Sequence, residues 1–166
     1  EVQNKLLWSV SGKTASELMY YRANASLPLM GLTSTEKEGK VTKGDALIGK
    51  NYLNEKEISQ LKLIVEQFLA YAESQALAEK PMYLRDWIQK LRLVLTMNEK
   101  SILEHAGKIS HEMAVAKATK EYIAYKEQQQ QIEHFESIKQ LDQDLKRIAA
   151  RTNNRKKGDD VETIKK

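Results

Sequence analysis

Apolar residues recur every three or four positions along most of this chain, a spacing that predicts α-helices rather than strands. The first such pattern occupies residues 1–10, where Val2, Leu6, Leu7 and Val10 form one face. No residue suited to capping a helix stands ahead of Glu1. We therefore expect the chain to be a fragment that begins inside a helix, with a further part of the protein preceding it.

Two pairs of residues have the spacing of a capping box. In that motif a polar residue at the start of a helix and an acid three positions later satisfy each other's backbone N–H groups. Thr14 with Glu17 predicts a helix that extends to about residue 25. Asn54 with Glu57 predicts a longer helix that ends near residue 78.

Proline and glycine divide the other segments that precede residue 110. Residues 27–44 predict a long loop, which has room for a small β-hairpin between residues 32 and 41. Residues 98–106 predict a short helix that Gly107 ends in the left-handed conformation. Pro81 precedes another helix, whose apolar face consists of Leu84, Trp87, Ile88, Leu91, Val94 and Leu95.

A continuous helical pattern begins at Ser110 and extends to about residue 151. Such a helix would be about 60 Å long at 1.5 Å per residue, which exceeds the diameter of a domain of this size. Its second half carries an apolar stripe among charged residues, formed by Ile132, Phe135, Ile138, Leu141, Leu145 and Ile148. We predict that this stripe packs against another chain or against the body of the domain.

Together these elements predict an all-α fold in three regions. Residues 1–109 form an irregular helical core, residues 110–151 form the long C-terminal helix, and residues 152–166 form a basic tail that we expect to be disordered. The hairpin in the loop of residues 27–44 is the one β element that the pattern allows.

Composition narrows the class of protein further. The chain has 166 residues, of which 41% are apolar, and this suffices for the core of one domain. It contains no cysteine, which excludes disulfides and thiolate zinc sites and suits a reducing compartment. A run of about 18 apolar residues and a secretory leader are both absent from the sequence. We therefore expect a cytoplasmic protein without membrane contact.

The net charge of +4 is concentrated in the predicted tail. Residues 151–166 contain six basic and three acidic side chains, a surplus of three, so the rest of the chain is nearly balanced. A flexible basic tail adds weak, salt-dependent attraction to phosphates. Direct nucleic-acid binding by this chain is therefore the weakest of the functional hypotheses.

Two short motifs are similar to catalytic signatures but lack essential residues. SGKT at residues 11–14 is similar to the end of a phosphate-binding loop, but Leu7 stands where that motif needs glycine. His111 and Glu112 are similar to the start of a zinc-protease motif, but Val115 occupies the position of its second histidine. We therefore predict neither a metal site nor a cofactor.

Polar residues in the first third of the chain are the candidate binding site. They lie among apolar neighbours, so the charged ones need partners, because an unpaired buried charge costs several kcal/mol. We predict that Arg22 holds Asp45 through two hydrogen bonds and that Lys50 and Asn51 border the same concavity. The set could be a structural network or a ligand pocket, and it comprises Tyr21, Arg22, Thr33, Lys43, Asp45, Lys50 and Asn51.

Several phrases of the sequence resemble the bacterial RhuM family of virulence-associated proteins across residues 1–126. They are VQNKLLWSVSGKTASELMYYRANASLPLMGLTS, GKVTKGDALIGKNYLNEKEI, QFLAYAE, PMYLRDW and HAGKISHE. In that family a part similar to phage-type DNA-binding modules precedes the matching region. The resemblance therefore implies such a part ahead of Glu1, and an intracellular bacterial protein associated with mobile genes. It implies no mechanism.

Two functions rank above direct nucleic-acid binding on the evidence of the sequence. The first is a non-enzymatic helical module that self-associates, or recruits a protein partner, on behalf of a DNA-binding N-terminal part. The second is an enzyme or toxin-like effector that acts on a phosphate-containing or nucleic-acid substrate through Arg22, Lys43, Asp45, Lys50 and Asn51. The sequence does not decide whether the chain is an enzyme, and the long striped helix favours the first function.

Overall fold

The computed structural model describes the backbone of residues 2–162 and the side chains of residues 2–148. Within this part of the chain there are six helices and no strand, which confirms the predicted all-α class. Two short 3-10 segments, Pro28–Gly31 and Gly49–Tyr52, interrupt the loops. The helices are α1 (Val2–Ser11), α2 (Ala15–Arg22), α3 (Lys43–Ala46), α4 (Glu55–Leu77), α5 (Leu84–Met97) and α6 (His111–Glu162).

Both predicted capping boxes are present, and each begins a helix. At the start of α2, the Glu17 N–H donates to Thr14 Oγ1 (3.3 Å) and the Thr14 N–H donates to Glu17 Oε2 (2.8 Å). At the start of α4, the Glu57 N–H donates to Asn54 Oδ1 (2.9 Å) and the Asn54 N–H donates to Glu57 Oε2 (2.8 Å). Because each box satisfies two backbone donors locally, the sequence spacing alone was enough to locate both helix starts.

The loop of residues 27–44 contains less regular structure than the predicted hairpin. Its only pairing among the described residues is an isolated antiparallel bridge between Lys37 and Lys40, where the Lys40 N–H donates to the Lys37 carbonyl at 3.0 Å. The loop leads into α3, a short helix that begins with a further capping box formed by Thr42 and Asp45.

The prediction of a short helix over residues 98–106 is wrong. Instead, α5 ends in a hydrogen-bonded turn that changes the direction of the chain. Glu99 adopts a left-handed conformation (φ +55°). Its N–H donates to the Thr96 carbonyl (3.0 Å), and the Lys100 N–H donates to the Leu95 carbonyl (2.9 Å). This pattern satisfies the last carbonyls of a helix and is usually built on glycine, so the sequence gives little warning of it when glutamate occupies the position.

The following segment, residues 98–110, forms an irregular loop that we call the 98–110 loop. Two long-range hydrogen bonds anchor it: Lys5 Nζ donates to the Leu103 carbonyl (3.1 Å), and the Lys108 N–H donates to Glu17 Oε1 (2.8 Å). Gly107 is left-handed (φ +92°) as expected, but a Cβ there would lie 3.0 Å from the side chain of Thr14. It therefore permits a close approach to the start of α2 instead of ending a helix.

Two apolar clusters form the core of the first part of the chain. The smaller one joins α4, which packs against α1 and α5, through Ile64, Leu91 and Leu95. In the larger one, α2 packs on the segment Gly49–Tyr52. That cluster includes Leu7, Leu18, Met19, Met30, Tyr52, Leu53, Ala114, Ala118 and Tyr125.

The chain divides into two compact units, Glu1–Tyr125 and Lys126–Lys166. The first unit includes the beginning of α6, because Ala114, Ala118 and Tyr125 are buried in its core. α6 continues to Glu162, past the end predicted near residue 151, and the predicted disorder of the tail, residues 152–166, stays untested. None of the described helices is long and apolar enough to cross a membrane.

Candidate functional site

Arg22, at the end of α2, binds Glu57, so the prediction that it binds Asp45 is wrong. Its Nη1 and Nη2 atoms donate to Glu57 Oε2 and Oε1 at 2.6 and 2.7 Å. Nη1 also donates to the carbonyl of Tyr52 at 2.7 Å. The guanidinium thus has the two-bond geometry expected from the sequence, but with a different carboxylate.

Glu57 both binds Arg22 and caps α4, because its carboxylate also accepts the N–H of Asn54, the residue that precedes the helix. The hydrogen bond from Arg22 is the main reason why the pKa of Glu57 lies below its ordinary value; burial opposes this effect, and the Asn54 N–H adds to it. The side chains of Arg22 and Glu57 are only 27% and 12% exposed. The pair therefore joins the end of α2 to the beginning of α4 in a partly desolvated position.

The Asp45 carboxylate accepts three hydrogen bonds, from Thr42 and Glu36. Its Oδ2 atom accepts the Thr42 N–H (3.0 Å) and the Thr42 hydroxyl (2.7 Å), and Oδ1 accepts the Glu36 N–H (3.0 Å). The hydrogen bond from the Thr42 hydroxyl lowers the pKa of Asp45 most strongly, against the effect of burial. These bonds make Asp45 a structural acid that fixes the loop of residues 27–44 to α3.

Three of the capping acids, Glu17, Asp45 and Glu57, share a feature that the sequence does not reveal: each also binds a segment outside its own helix start. Glu57 binds Arg22, Asp45 binds the Glu36 N–H, and Glu17 binds the Lys108 N–H. Burial raises the pKa of Glu17, but hydrogen bonds from Thr14 and Lys108 outweigh burial and lower the pKa overall. The local spacing signals the cap, whereas the second partner depends on which segments fold next to it.

We expect the free energy of unfolding to decrease as the pH falls below about 5. The folded-state pKa values of Glu17, Asp45 and Glu57 lie below the ordinary values of 4.5, 3.8 and 4.5. A depressed carboxyl pKa stabilises the fold above the unfolded-state pKa, and this contribution is lost as the pH falls through the folded-state value. Urea denaturation at a series of pH values measures it.

Asp45→Asn provides the matched variant for that experiment. Loss of the charge-assisted cap should lower the free energy of unfolding at pH 7 by about 1 kcal/mol and make its pH dependence shallower. Glu73→Gln removes an exposed carboxylate from α4 and serves as the control. Equal pH dependence in both variants and the parent chain would contradict a special contribution from Asp45.

Thr33 and Asn51 connect the two loops on either side of α3. The Thr33 hydroxyl donates its proton to the Leu53 carbonyl (2.5 Å), and its oxygen also lies 3.0 Å from the Asn51 carbonyl, which accepts the Thr33 N–H (2.8 Å). Asn51 Nδ2 donates to the Asp45 carbonyl (3.1 Å). Asn51 is buried. These contacts form a network that fixes the geometry of the two loops. Such a network is one of the two interpretations that the sequence left open.

As predicted, Lys50 and Asn51 line the same concavity as Asp45. Its volume is about 340 Å³, and Ser34 and Thr35 contribute hydroxyl groups to it. The side chain of Lys50 is exposed and has no hydrogen-bond or ion-pair partner among the described residues. A role for this concavity in ligand binding stays a prediction.

The other predicted site residues do not line this concavity. Arg22 is engaged with Glu57, and Thr33 with the backbone of the neighbouring loop. Lys43 is exposed on α3. Tyr21 is 57% exposed and contacts Tyr20 edge to face, with ring centroids 5.3 Å apart. The described side chains also include no group of three or more histidine or acidic residues that could hold a metal ion.

The second candidate is the apolar stripe on α6, which lies in the second compact unit. Its members are strongly exposed: Ile132 50%, Phe135 70%, Ile138 55%, Leu141 67%, Leu145 59% and Ile148 60%. The last four are separated by steps of three, four and three residues, the spacing of a coiled-coil seam. Exposed apolar rows of this kind mark interaction surfaces in folded proteins.

Comparison with known proteins identifies one family. The model of the family described as "Virulence protein RhuM family" matches residues 1–133. Neither the curated proteins nor the solved structures include a significant match to the chain.

Proposed function

Since this chain belongs to the virulence protein RhuM family, we propose that it is a helical module that pairs with a second copy of itself through α6. The observation that carries the proposal is the exposed α6 stripe. Leaving five or more large apolar side chains in water is unfavourable, because burial of each contributes roughly 1.5–3 kcal/mol. A partner that covers the stripe would recover much of that free energy.

The sequence of the stripe and its surroundings favours a second copy as that partner. Residues 126–148 contain four basic and five acidic side chains, so two such helices carry almost no mutual repulsion. Some of these charges already pair within the helix, as Lys146 does with Asp142 at 2.7 Å. Ile138, Leu141, Leu145 and Ile148 are separated by three, four and three residues. This spacing suits the packing of one helix against an identical helix.

Self-association also agrees with what the sequence resemblance implies for the rest of the protein. A DNA-binding part ahead of this region would be duplicated in a dimer, and dimeric DNA-binding proteins contact two half-sites. In this proposal the chain itself contacts protein, and the preceding part contacts DNA in the bacterial cytoplasm.

The alternative, an effector that acts on a phosphate-containing substrate, has weaker support. Arg22 and Asp45, on which it most depends, are bound to Glu57, Thr42 and Glu36. These contacts hold both side chains in structural roles, and Asp45 is also buried. Lys50 is the one charged member of the cluster that both lines the concavity and has an open side chain. A single lysine beside two hydroxyls is insufficient to assign a reaction.

We expect the chain to self-associate in a concentration-dependent manner. Sedimentation velocity over a wide concentration range should show the sedimentation coefficient rising from a monomer to a dimer value, because the stripe becomes covered on pairing. The association should persist at high salt, since apolar burial and not charge attraction drives it. A monomer at every concentration would disprove the proposal.

A further inference from the structure

A second concavity, which none of the predicted site residues lines, lies between α1, α5 and the 98–110 loop. Its volume is about 560 Å³, within the range of small-molecule sites. The loop that forms one wall is held by Lys5 through the Leu103 carbonyl and by Glu17 through the Lys108 N–H. These anchors lie on both sides of residues 104–106, which contribute to the lining.

Two cationic side chains lie at this concavity, and both keep unused donors. Lys5 uses one of its three N–H donors in the hydrogen bond to the Leu103 carbonyl. Arg92, on α5, lies 3.5 Å from Glu104 through Nη2, and its side chain is 52% exposed. Because this distance is long and the contact involves one nitrogen, most of the guanidinium remains available.

The hydrogen bonds of two further lining residues leave them as donors. The Gly107 N–H donates to Nδ1 of His105 at 3.1 Å, so the proton of the neutral ring is on Nε2. The Ala15 N–H donates to Oδ1 of Asn4 at 3.1 Å, which leaves the amide NH₂ group as the remaining polar part of that side chain. Both residues line the concavity, and neither donor group has a hydrogen-bond acceptor among the described residues.

The hydrogen-bond donors and acceptors around the concavity indicate which kind of ligand would fit. Four donor-bearing side chains surround the concavity against one carboxylate, that of Glu104. Ile88 and Ala106 add an apolar wall. We propose that this concavity binds a small organic anion, with a phosphate or carboxylate group held by Lys5, Arg92 and His105 and an apolar part on Ile88.

Trp8 provides a reporter for binding at this position. Its ring contacts His105 edge to face, with centroids 4.7 Å apart. The only other tryptophan, Trp87, packs against Phe68 with centroids 5.5 Å apart. In a Trp87→Phe background, a change in fluorescence therefore reports on the surroundings of Trp8.

The experiment titrates the Trp87→Phe chain with mono-n-butyl phosphate, with hexanoate and with 1-butanol. We expect a saturable fluorescence change with at least one anion and none with the alcohol, which has an apolar part but no charge. Stronger binding of the phosphate or of the carboxylate identifies the preferred head group. No saturable change with either anion would overturn the proposal.

Arg92→Gln should weaken binding of the preferred anion at least tenfold, because it removes one of the two cations. The matched control is Arg85→Gln, on the same helix but outside the concavity, where the side chain is 89% exposed. Since Arg92 is exposed, we expect both variants to keep the parent melting temperature. Equal affinities of the two variants would overturn the assignment, and His105→Gln, expected to weaken binding too, is a second check on the site.

Discussion

Aspartate at both Leu141 and Leu145 will abolish self-association of this chain and leave its first compact unit folded. Covering a leucine contributes roughly 1.5–3 kcal/mol, so the four leucines of a dimer contribute on the order of 6–12 kcal/mol. A micromolar dimer has a total binding free energy of about 8 kcal/mol. The double substitution removes the apolar contribution and adds carboxylates that would be costly to bury. Light scattering should therefore report a monomer at concentrations where the parent chain is a dimer.

The matched control places the same charge on the other side of the same helix. Gln140→Asp with Gln143→Asp adds two carboxylates to α6, and at 3.6 residues per turn these positions lie away from Leu141 and Leu145. This control should associate like the parent chain. Dissociation of both double variants would point to charge repulsion, and persistence of the leucine variant as a dimer would exclude the stripe as the interface.

Removal of the Arg22 side chain is expected to destabilise the first compact unit strongly. Arg22→Ala removes both hydrogen bonds that Arg22 donates to the Glu57 carboxylate, which is 12% exposed and keeps only the Asn54 N–H, and it removes the Arg22 donor from the Tyr52 carbonyl. We expect the free energy of unfolding to fall by about 3 kcal/mol, in line with the loss of one partner from a largely buried pair. The corresponding decrease in melting temperature is about 10 °C, which calorimetry or circular dichroism will measure.

Two further variants separate this effect from a general loss of charge. Lys62→Ala breaks an exposed ion pair with Glu66, whose atoms lie 3.9 Å apart, and should change the free energy of unfolding by less than about 0.5 kcal/mol. Arg22→Lys keeps the charge but not the planar fork, so it should recover only part of the stability. If Arg22→Ala melts like Lys62→Ala, the proposed link between α2 and α4 is not important for stability.

The sequence alone determined the all-α class, the starts of α2, α4 and α6, and the family. These features depend on residues close together in the chain: a capping box spans four positions, and an apolar helix face is read from its repeat. The family resemblance likewise rests on contiguous phrases such as KNYLNE. For the candidate site, the sequence correctly grouped Asp45, Lys50 and Asn51 around one concavity, since they lie within seven positions of each other.

Only the tertiary structure decided the partners of the charged residues and the path of the 98–110 loop. The sequence predicted Asp45 as the partner of Arg22, but Glu57 binds it because the start of α4 folds against the end of α2. The 98–110 loop is irregular because α5 ends at the left-handed Glu99 and because Lys5 and Glu17 bind its backbone from far away in the sequence. The concavity that we propose as an anion site consists of residues from three separated segments. Such contacts depend on how helices pack, and helix packing is set by the whole core rather than by any local spacing.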